Sequence, residues 1–180
     1  MLFRSSTKIN SGKLGGRVLQ LPPQTITRAV SSKVRATIFN KLDVEDRRVL
    51  DVFAGGGTLG FEAISHGADE VTFVDKSELA IKVIKNNTKS LGVESQVKIK
   101  KSDAKQFFKN LGLKYDIIFL DPPYAEFNNT LVKTTSNLLQ LGGILVVSCS
   151  SRSNVESPEG TSQLSQKIYG DTKIVYIQKN

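Results

Sequence analysis

Two short stretches of this chain hold residues whose types and spacing suit chemistry. The first is Asp121-Pro122-Pro123-Tyr124, which closes the apolar run Ile117-Ile118-Phe119-Leu120. Asp121 can accept hydrogen bonds, and proline lacks a backbone N–H, so the carbonyls around Pro122 and Pro123 are expected to point outward as further acceptors. Tyr124 adds a flat ring on which a base can stack. An amino group attached to an aromatic ring is a poor nucleophile because its lone pair is delocalised. Acceptors that hold its hydrogens beside a platform for its ring are the equipment such a group needs. A strand ending in an ordinary proline turn would carry the same residues, so a second signal is required.

That signal is Asp51-Val52-Phe53-Ala54-Gly55-Gly56-Gly57-Thr58-Leu59-Gly60, preceded by Val49-Leu50 and followed by helical spacing in Phe61, Ala63 and Ile64. It reads as a strand, a tight loop and a helix start. Gly55, Gly57 and Gly60 spell the G-x-G-x-x-G of a dinucleotide site, so an NAD-dependent oxidoreductase competes for this loop. An acid just ahead of the glycines adds little to a pyrophosphate site, whereas Asp51 suits the ammonium of a methionine-type cofactor. Hydride transfer also has no use for Asp-Pro-Pro-Tyr. The strand Glu70-Val71-Thr72-Phe73-Val74 ends in Asp75, roughly 20 residues beyond the glycines, where an acid meets ribose hydroxyls in either cofactor class. The combination points to methyl transfer onto an amino group.

Alternating strand and helix patterns with short connections imply a parallel sheet covered on both faces. Ser77 caps a helix carrying Leu79, Ala80, Val83, Ile84 and Leu91, and Gly92 ends it. Val97-Lys98-Ile99-Lys100 is a third strand, followed by Asp103-Ala104 and a helix through Phe107-Phe108. A helix through Leu131, Leu138 and Leu139 precedes a strand from Gly143 to Val147, residues 150–163 read as an exposed loop, and the segment from Gln166 to Ile177 reads as a closing hairpin. In an open parallel sheet ligands bind at the carboxyl ends of the strands, so Asp51, Asp75, Asp103 and Asp121 are expected to face one crevice.

At 180 residues with 39% hydrophobic side chains, the chain suits one well-packed domain. Cys149 lies in an apolar strand and reads as a small buried thiol, and His66, the single histidine, sits before Gly67 as a C-cap neighbour. One His and one Cys leave no metal cluster to expect. The N-terminus has no signal-peptide core and no run long enough to span a membrane, which gives a cytoplasmic expectation. The net charge of +8 is localised: residues 1–42 hold 8 Lys and Arg and no acid, leaving 17 basic and 17 acidic residues in the remainder. A basic segment on a neutral body is the pattern of a polyanion binder. Within it, Gly12 to Leu19 reads as a hairpin-like turn leading into a short strand, and Val34, Ile38, Phe39 and Leu42 fall on one helical face that leaves Lys33, Arg35 and Lys41 to present charge.

On these residues the chain resembles the RsmD-like bacterial ribosomal RNA methyltransferases nearly end to end. The resemblance is carried by Gly12-Lys13, Gly16-Arg17, Lys33-Val34-Arg35 with Ile38-Phe39-Asn40, the loop Asp51 to Gly60, Asp121 to Tyr124, and Tyr169-Gly170-Asp171-Thr172. It departs at Arg28-Ala29-Val30, where the family usually has Arg-Pro-Thr. The resemblance implies a Rossmann-like class I S-adenosylmethionine-dependent methyltransferase fold (residues 43–180) with a small basic N-terminal appendage (residues 1–42). It implies S-adenosylmethionine as cofactor, with Asp51, Gly55 and Gly57 near its methionine part, Asp75 on the ribose, Asp103 with Ala104 at the adenine, and Ala54 and Lys76 also among the cofactor-binding residues. Asp121, Pro122, Pro123 and Tyr124 would act on the exocyclic N2 of a guanine in small-subunit ribosomal RNA, naked or in an assembling 30S particle. Lys13, Arg17, Arg28, Lys33 and Arg35 would meet RNA phosphates, and a monomer is expected. An adenine-N6 methyltransferase uses the same tetrapeptide but normally carries a separate target-recognition region. A catalytically silent RNA binder leaves both loops unexplained.

Overall fold

A computed structural model of the chain describes residues 5–23, 30–109 and 112–180. The elements run β1 (Ser5–Lys8), β2 (Val18–Leu21), α1 (Ser32–Phe39), β3 (Arg48–Val52), α2 (Thr58–Ser65), β4 (Glu70–Asp75), α3 (Glu78–Leu91), β5 (Val97–Lys101), α4 (Ala104–Phe107), β6 (Tyr115–Leu120), α5 (Asn129–Ser136), β7 (Leu139–Ser150), β8 (Thr161–Tyr169) and β9 (Thr172–Lys179). β1 and β2 pair as an antiparallel hairpin, and the other seven strands form one sheet in the order β5-β4-β3-β6-β7-β9-β8. The first five of that order are parallel, while β9 inserts antiparallel between β7 and β8. The chain leaves β3 toward one edge and returns through β6 on its other side, so the strand order reverses between β3 and β6. This is the class I methyltransferase fold, an α/β sheet with its ligand crevice at that reversal.

Alternation along the strands divides the core. Val49, Val71, Phe73, Ile117, Phe119 and Val146 pack on the face covered by α1, α2 and α3. Leu50, Val52, Val74, Ile118, Leu120 and Val147 pack on the opposite face with Phe107, Leu131 and Val132 from α4 and α5. Because the strand period is two residues, Asp51, Asp75 and Asp121 all continue the first series. The pairings Asp51↔Phe73 and Asp51↔Phe119 then bring these carboxylates close together at the carboxyl ends of β3, β4 and β6.

The N-terminal elements do not form a separate unit. Ile9, Leu19, Val34, Ile38 and Phe39 belong to the same core cluster as β3, β4 and β6, so a division at residue 42 marks a change of charge and no break in packing. Arg35 corrects the expectation that it presents charge: it is 2% exposed. Its guanidinium pairs with Glu62 at 3.3 Å and donates to the Val30 carbonyl, the Lys8 carbonyl and Thr7 Oγ1. A buried guanidinium needs such a set of partners, and removing one of a buried pair typically costs about 3–5 kcal/mol. Arg35 fastens the hairpin to α1 and α2 and is unavailable to phosphates.

Two boundaries also move. Leu138 and Leu139 do not continue the helix from Leu131; Asn137 caps α5, and Leu139 begins β7, which extends to Ser150 and so exceeds the Gly143–Val147 strand expected. Spacing alone cannot separate these readings, because an apolar pair after a polar cap fits a helix face or a strand start equally well. The polar segment is shorter than 150–163, since β8 starts at Thr161, and the closing hairpin turns at Gly170-Asp171 as expected. No helix among the described residues is long and apolar enough to cross a membrane.

Candidate active site

The loop after β3 is shaped by left-handed residues: Phe53 at φ 61°, Gly55 at 55° and Gly57 at 78°. Phe53 holds this conformation with a side chain, at a cost of about 1–2 kcal/mol, which the surrounding hydrogen bonds offset. Gly57 is the N-cap of α2 and has no side chain with which to cap it. Asp51 supplies the missing acceptor from the strand below, taking the Gly60 N–H at 3.0 Å. At 2% exposed, Asp51 has little surface left for a ligand. Its bond to Gly60 shapes the loop at which the cofactor ammonium is expected. Gly60 permits the close crossing of helix over sheet, since a Cβ there would lie 2.2 Å from Phe73. Gly55 is the opposite case, with nothing within 4 Å of that position.

Asp75 holds Gly55 in place, accepting its N–H at 2.9 Å through Oδ2 and the Ser77 N–H at 2.8 Å through Oδ1. Asp75 is half-buried and each oxygen keeps further acceptor capacity, as a ribose diol requires. Asp103 caps α4 by accepting the Lys105 N–H at 2.9 Å through Oδ1 and also lines a cleft with Phe53, Ala104, Ala125, Asn128 and Leu131. Glu126 and Lys105 also line it, and its apolar walls with the Asp103 carboxylate fit an adenine ring and its amino group. Lys76 pairs with Glu126 at 2.9 Å, and that partner raises its pKa.

Asp121 lies beyond Phe119 on β6, and the register Phe119↔Val146 makes Ser148 its neighbour on the same face of β7. The Ser148 hydroxyl beside it favours the ionised carboxylate. Burial nevertheless pushes Asp121 up to about 6 from 3.8, outweighing that effect. Burial pushes the Asp51 carboxyl well above its ordinary 3.8 against the opposing Gly60 N–H, and Asp121 and Asp75 add to the rise by repulsion. Raised values of this kind mark carboxyl groups crowded at one site, which suits a cationic cofactor and amino donors and disfavours a pyrophosphate.

The proline carbonyls divide. Pro123 O is occupied by the N–H groups of Glu126 (2.8 Å) and Phe127 (3.2 Å), so it corrects the expectation of an outward acceptor. No hydrogen bond among the described residues ends on the Pro122 carbonyl, which remains as the second acceptor beside Asp121. Tyr124 is 48% exposed, and its hydroxyl hydrogen-bonds Thr172 Oγ1 at 2.8 Å, tying the tetrapeptide to the turn of the closing hairpin.

The basic residues expected to meet RNA do not gather. Lys13 and Arg17 are exposed at the tip of the β1–β2 hairpin, where the Lys13 N–H donates to Ser65, the last residue of α2, and Arg17 donates to the Ser90 carbonyl near the end of α3. Since α2 starts at the glycine loop and spans 8 residues, the tip lies about 12 Å below the crevice mouth. Lys33 is exposed at the start of α1, Arg35 is buried as described, and Arg28 lies outside the described residues. Ser148 and Asn87 were missed by sequence reasoning, and Thr172 was noted only as part of the resemblance, without a role. Ser148 had a signal, a polar residue in an apolar strand opposite Asp121. Among the described residues no group of His, Cys, Asp and Glu is arranged to hold a metal ion.

Comparison with known proteins places this geometry. The family described as Conserved hypothetical protein 95 matches residues 7–178. Ribosomal RNA small subunit methyltransferase D of Buchnera aphidicola subsp. Acyrthosiphon pisum is 36% identical over 142 residues, spanning 77% of this chain and 73% of that protein. The protein of the same name from Escherichia coli strain K12 is 33% identical over 140 residues, 77% of this chain and 69% of that one. Among solved structures, yhhF from Escherichia coli aligns with a TM-score of 0.88 and 25% identity over 98% of this chain and 99% of its own.

Proposed function

The chain belongs to the Conserved hypothetical protein 95 family, that of the ribosomal RNA small subunit methyltransferase D proteins, and from that premise we propose that it methylates the exocyclic N2 of a guanine in small-subunit ribosomal RNA. It is an S-adenosylmethionine-dependent methyltransferase. The residues fit the cofactor: open space at Gly55 for the methionine part, Asp75 for the ribose and the Phe53, Ala104 and Leu131 walls for the adenine. When bound, the cofactor supplies the electrophilic methyl group. The chain's own residues orient the acceptor. Asp121 takes a hydrogen of N2 and the Pro122 carbonyl takes the other, so the nitrogen lone pair turns away from the ring and toward the methyl. The raised proton affinity of Asp121 equips it to take the proton that N2 releases as the N–C bond forms. Tyr124 offers its exposed face to the flipped base, offsetting part of the few kcal/mol of unstacking.

The observation that carries this reading is the alignment of Asp121, Ser148 and the vacant Pro122 carbonyl beside Asp51 and Asp75 at the strand-order reversal. Lys13, Arg17 and Lys33 are proposed to meet phosphates of the same RNA. The test is transfer from radiolabelled S-adenosylmethionine to small-subunit particles, and to their naked RNA, from cells lacking the endogenous enzyme. Nucleoside analysis should find N2-methylguanosine. Label in N6-methyladenosine would select the adenine alternative, and binding of NAD without response to S-adenosylmethionine would refute methyl transfer altogether.

A further inference from the structure

Asn87 sits in α3, 1% exposed, facing β2 and the glycine loop. Its amide is fully used. Oδ1 accepts the Gln20 N–H at 2.9 Å, while Nδ2 donates to the Gln20 carbonyl at 2.9 Å and to the Gly56 carbonyl at 3.2 Å. The two bonds to Gln20 copy the exchange between paired strands, so one side chain joins the hairpin to α3. The third reaches the loop between Gly55, which is open to the crevice, and Gly57. The next hairpin residues close over the same loop: a Cβ on Gly56 would lie 2.6 Å from Leu21 Cδ2 and 3.3 Å from Pro22 Cδ. The Gly56 peptide is therefore gripped on one side by Asn87 and covered on the other by Leu21 and Pro22.

We infer that Asn87 is a positioning residue for the cofactor, hanging the N-terminal hairpin and the glycine loop on one helix so that residues 20–22 hold the loop in its binding conformation. The inference rests on the reading of that loop as the seat of the methionine part. It makes the hairpin a component of the cofactor site as well as an RNA contact. Further bonds of the hairpin act at the far end of α2, where Ser65 O receives the Lys13 N–H at 2.8 Å, Ser65 Oγ receives the Leu14 N–H at 2.9 Å and donates to the Ser11 carbonyl, and Glu62 Oε1 receives the Asn10 N–H at 2.8 Å. None of these touches the glycine loop, which leaves Asn87 as the polar link at the cofactor end.

The test measures S-adenosylmethionine and S-adenosylhomocysteine affinity by calorimetry in the full chain, together with urea unfolding and the KM for cofactor. Asn87→Ala and Asn87→Asp should weaken both ligands roughly tenfold to a hundredfold, the scale of losing donors to two buried carbonyls. KM for cofactor should rise with kcat at saturation close to that of the parent. Thr88→Ala is the control: Thr88 is equally interior and bonds only Ile84 O within the helix, at 2.8 Å, so its loss should lower stability and leave cofactor affinity unchanged. Gly56→Ala should weaken cofactor by crowding Leu21, and Leu21→Ala added to it should restore part of the loss. Should the Asn87 variants fail to fold, this pair decides, recovery supporting the inference and its absence overturning it. Folded Asn87 variants that bind both ligands like the parent also overturn it. A parent protein that binds neither ligand would instead sink the cofactor reading.

Discussion

Replacing Asp121 by Asn should stabilise the protein while stopping its chemistry, and the stabilisation should depend on pH in a calculable way. The Asp121 carboxyl is pushed up to about 6 from an ordinary 3.8, with burial as the leading cause. Between those values the unfolded chain has released the proton and the folded chain has kept it, so the folded state binds more protons and stability falls as pH rises. The penalty is nearly absent below pH 4 and complete above about pH 6. At ~1.4 kcal/mol per pH unit the full shift amounts to at most ~3 kcal/mol, and partial exposure of the carboxylate reduces it toward 1–2. Asn keeps a carbonyl for the Ser148 hydroxyl, carries no charge and relieves the repulsion that Asp121 exerts on Asp51. The assay is urea unfolding of parent and Asp121→Asn at pH 4 and pH 7.5. The stability difference should grow from under ~1 kcal/mol to about 1–3 kcal/mol in favour of the variant. Single-turnover methyl transfer should drop at least about a hundredfold, on the scale of one preorganised polar group, with S-adenosylhomocysteine affinity close to the parent's. An Asn variant that is less stable at pH 7.5, or a difference flat in pH, would show that the carboxylate is not held against its own ionisation and would refute the argument.

Two other outcomes follow from the placement of residues. Tyr124→Phe keeps the ring but loses the bond to Thr172, so it and Thr172→Val should each slow transfer several-fold and the double variant should be no worse than either, because both remove one contact. Additive effects in that cycle, measured as single-turnover rates on one RNA, would mean the hydroxyl does not position the ring. Lys13→Glu with Arg17→Glu should weaken RNA binding and reduce the salt dependence of log K by roughly two if each residue meets one phosphate. Transfer at saturating RNA should be unchanged, since the tip lies about 12 Å from the crevice; an unaltered salt slope would leave the tip without a role in RNA binding.

The crevice was legible in the sequence because its parts are set by strand periodicity. An acid directly after an apolar run lands at a strand's carboxyl end, and Asp51, Asp75 and Asp121 each did so on the same face. What the sequence could not reveal was how backbone groups near those acids are already engaged. Pro123 O is lost to a turn formed by Glu126 and Phe127, and Asp51 is spent largely on the Gly60 N–H. The N-terminal charge misled for a related reason. A count of basic residues cannot separate Lys13, which is exposed, from Arg35, whose charge is consumed by Glu62 at a distance of 27 residues in the chain. Periodicity placed Val34, Ile38 and Phe39 on one face and left Arg35 outside it, yet the helix is embraced by the hairpin and so has a second buried side.

The embrace constrains the substrate. The site that would hold the base is lined by carboxylates, which repel phosphate, while Lys13 and Arg17 stand at the other end of α2. A free nucleotide at the crevice could not reach those cations, about 12 Å away along the helix. A folded RNA can, by presenting one flipped base to Asp121 and laying its backbone along the hairpin. Transfer to a short oligonucleotide carrying the target guanine should therefore saturate poorly and respond little to Lys13→Glu with Arg17→Glu, whereas the full-length small-subunit RNA should bind tightly and lose that advantage in the same variant. Equal saturation by both substrates would place the whole of recognition at the crevice and remove the hairpin tip from the RNA path.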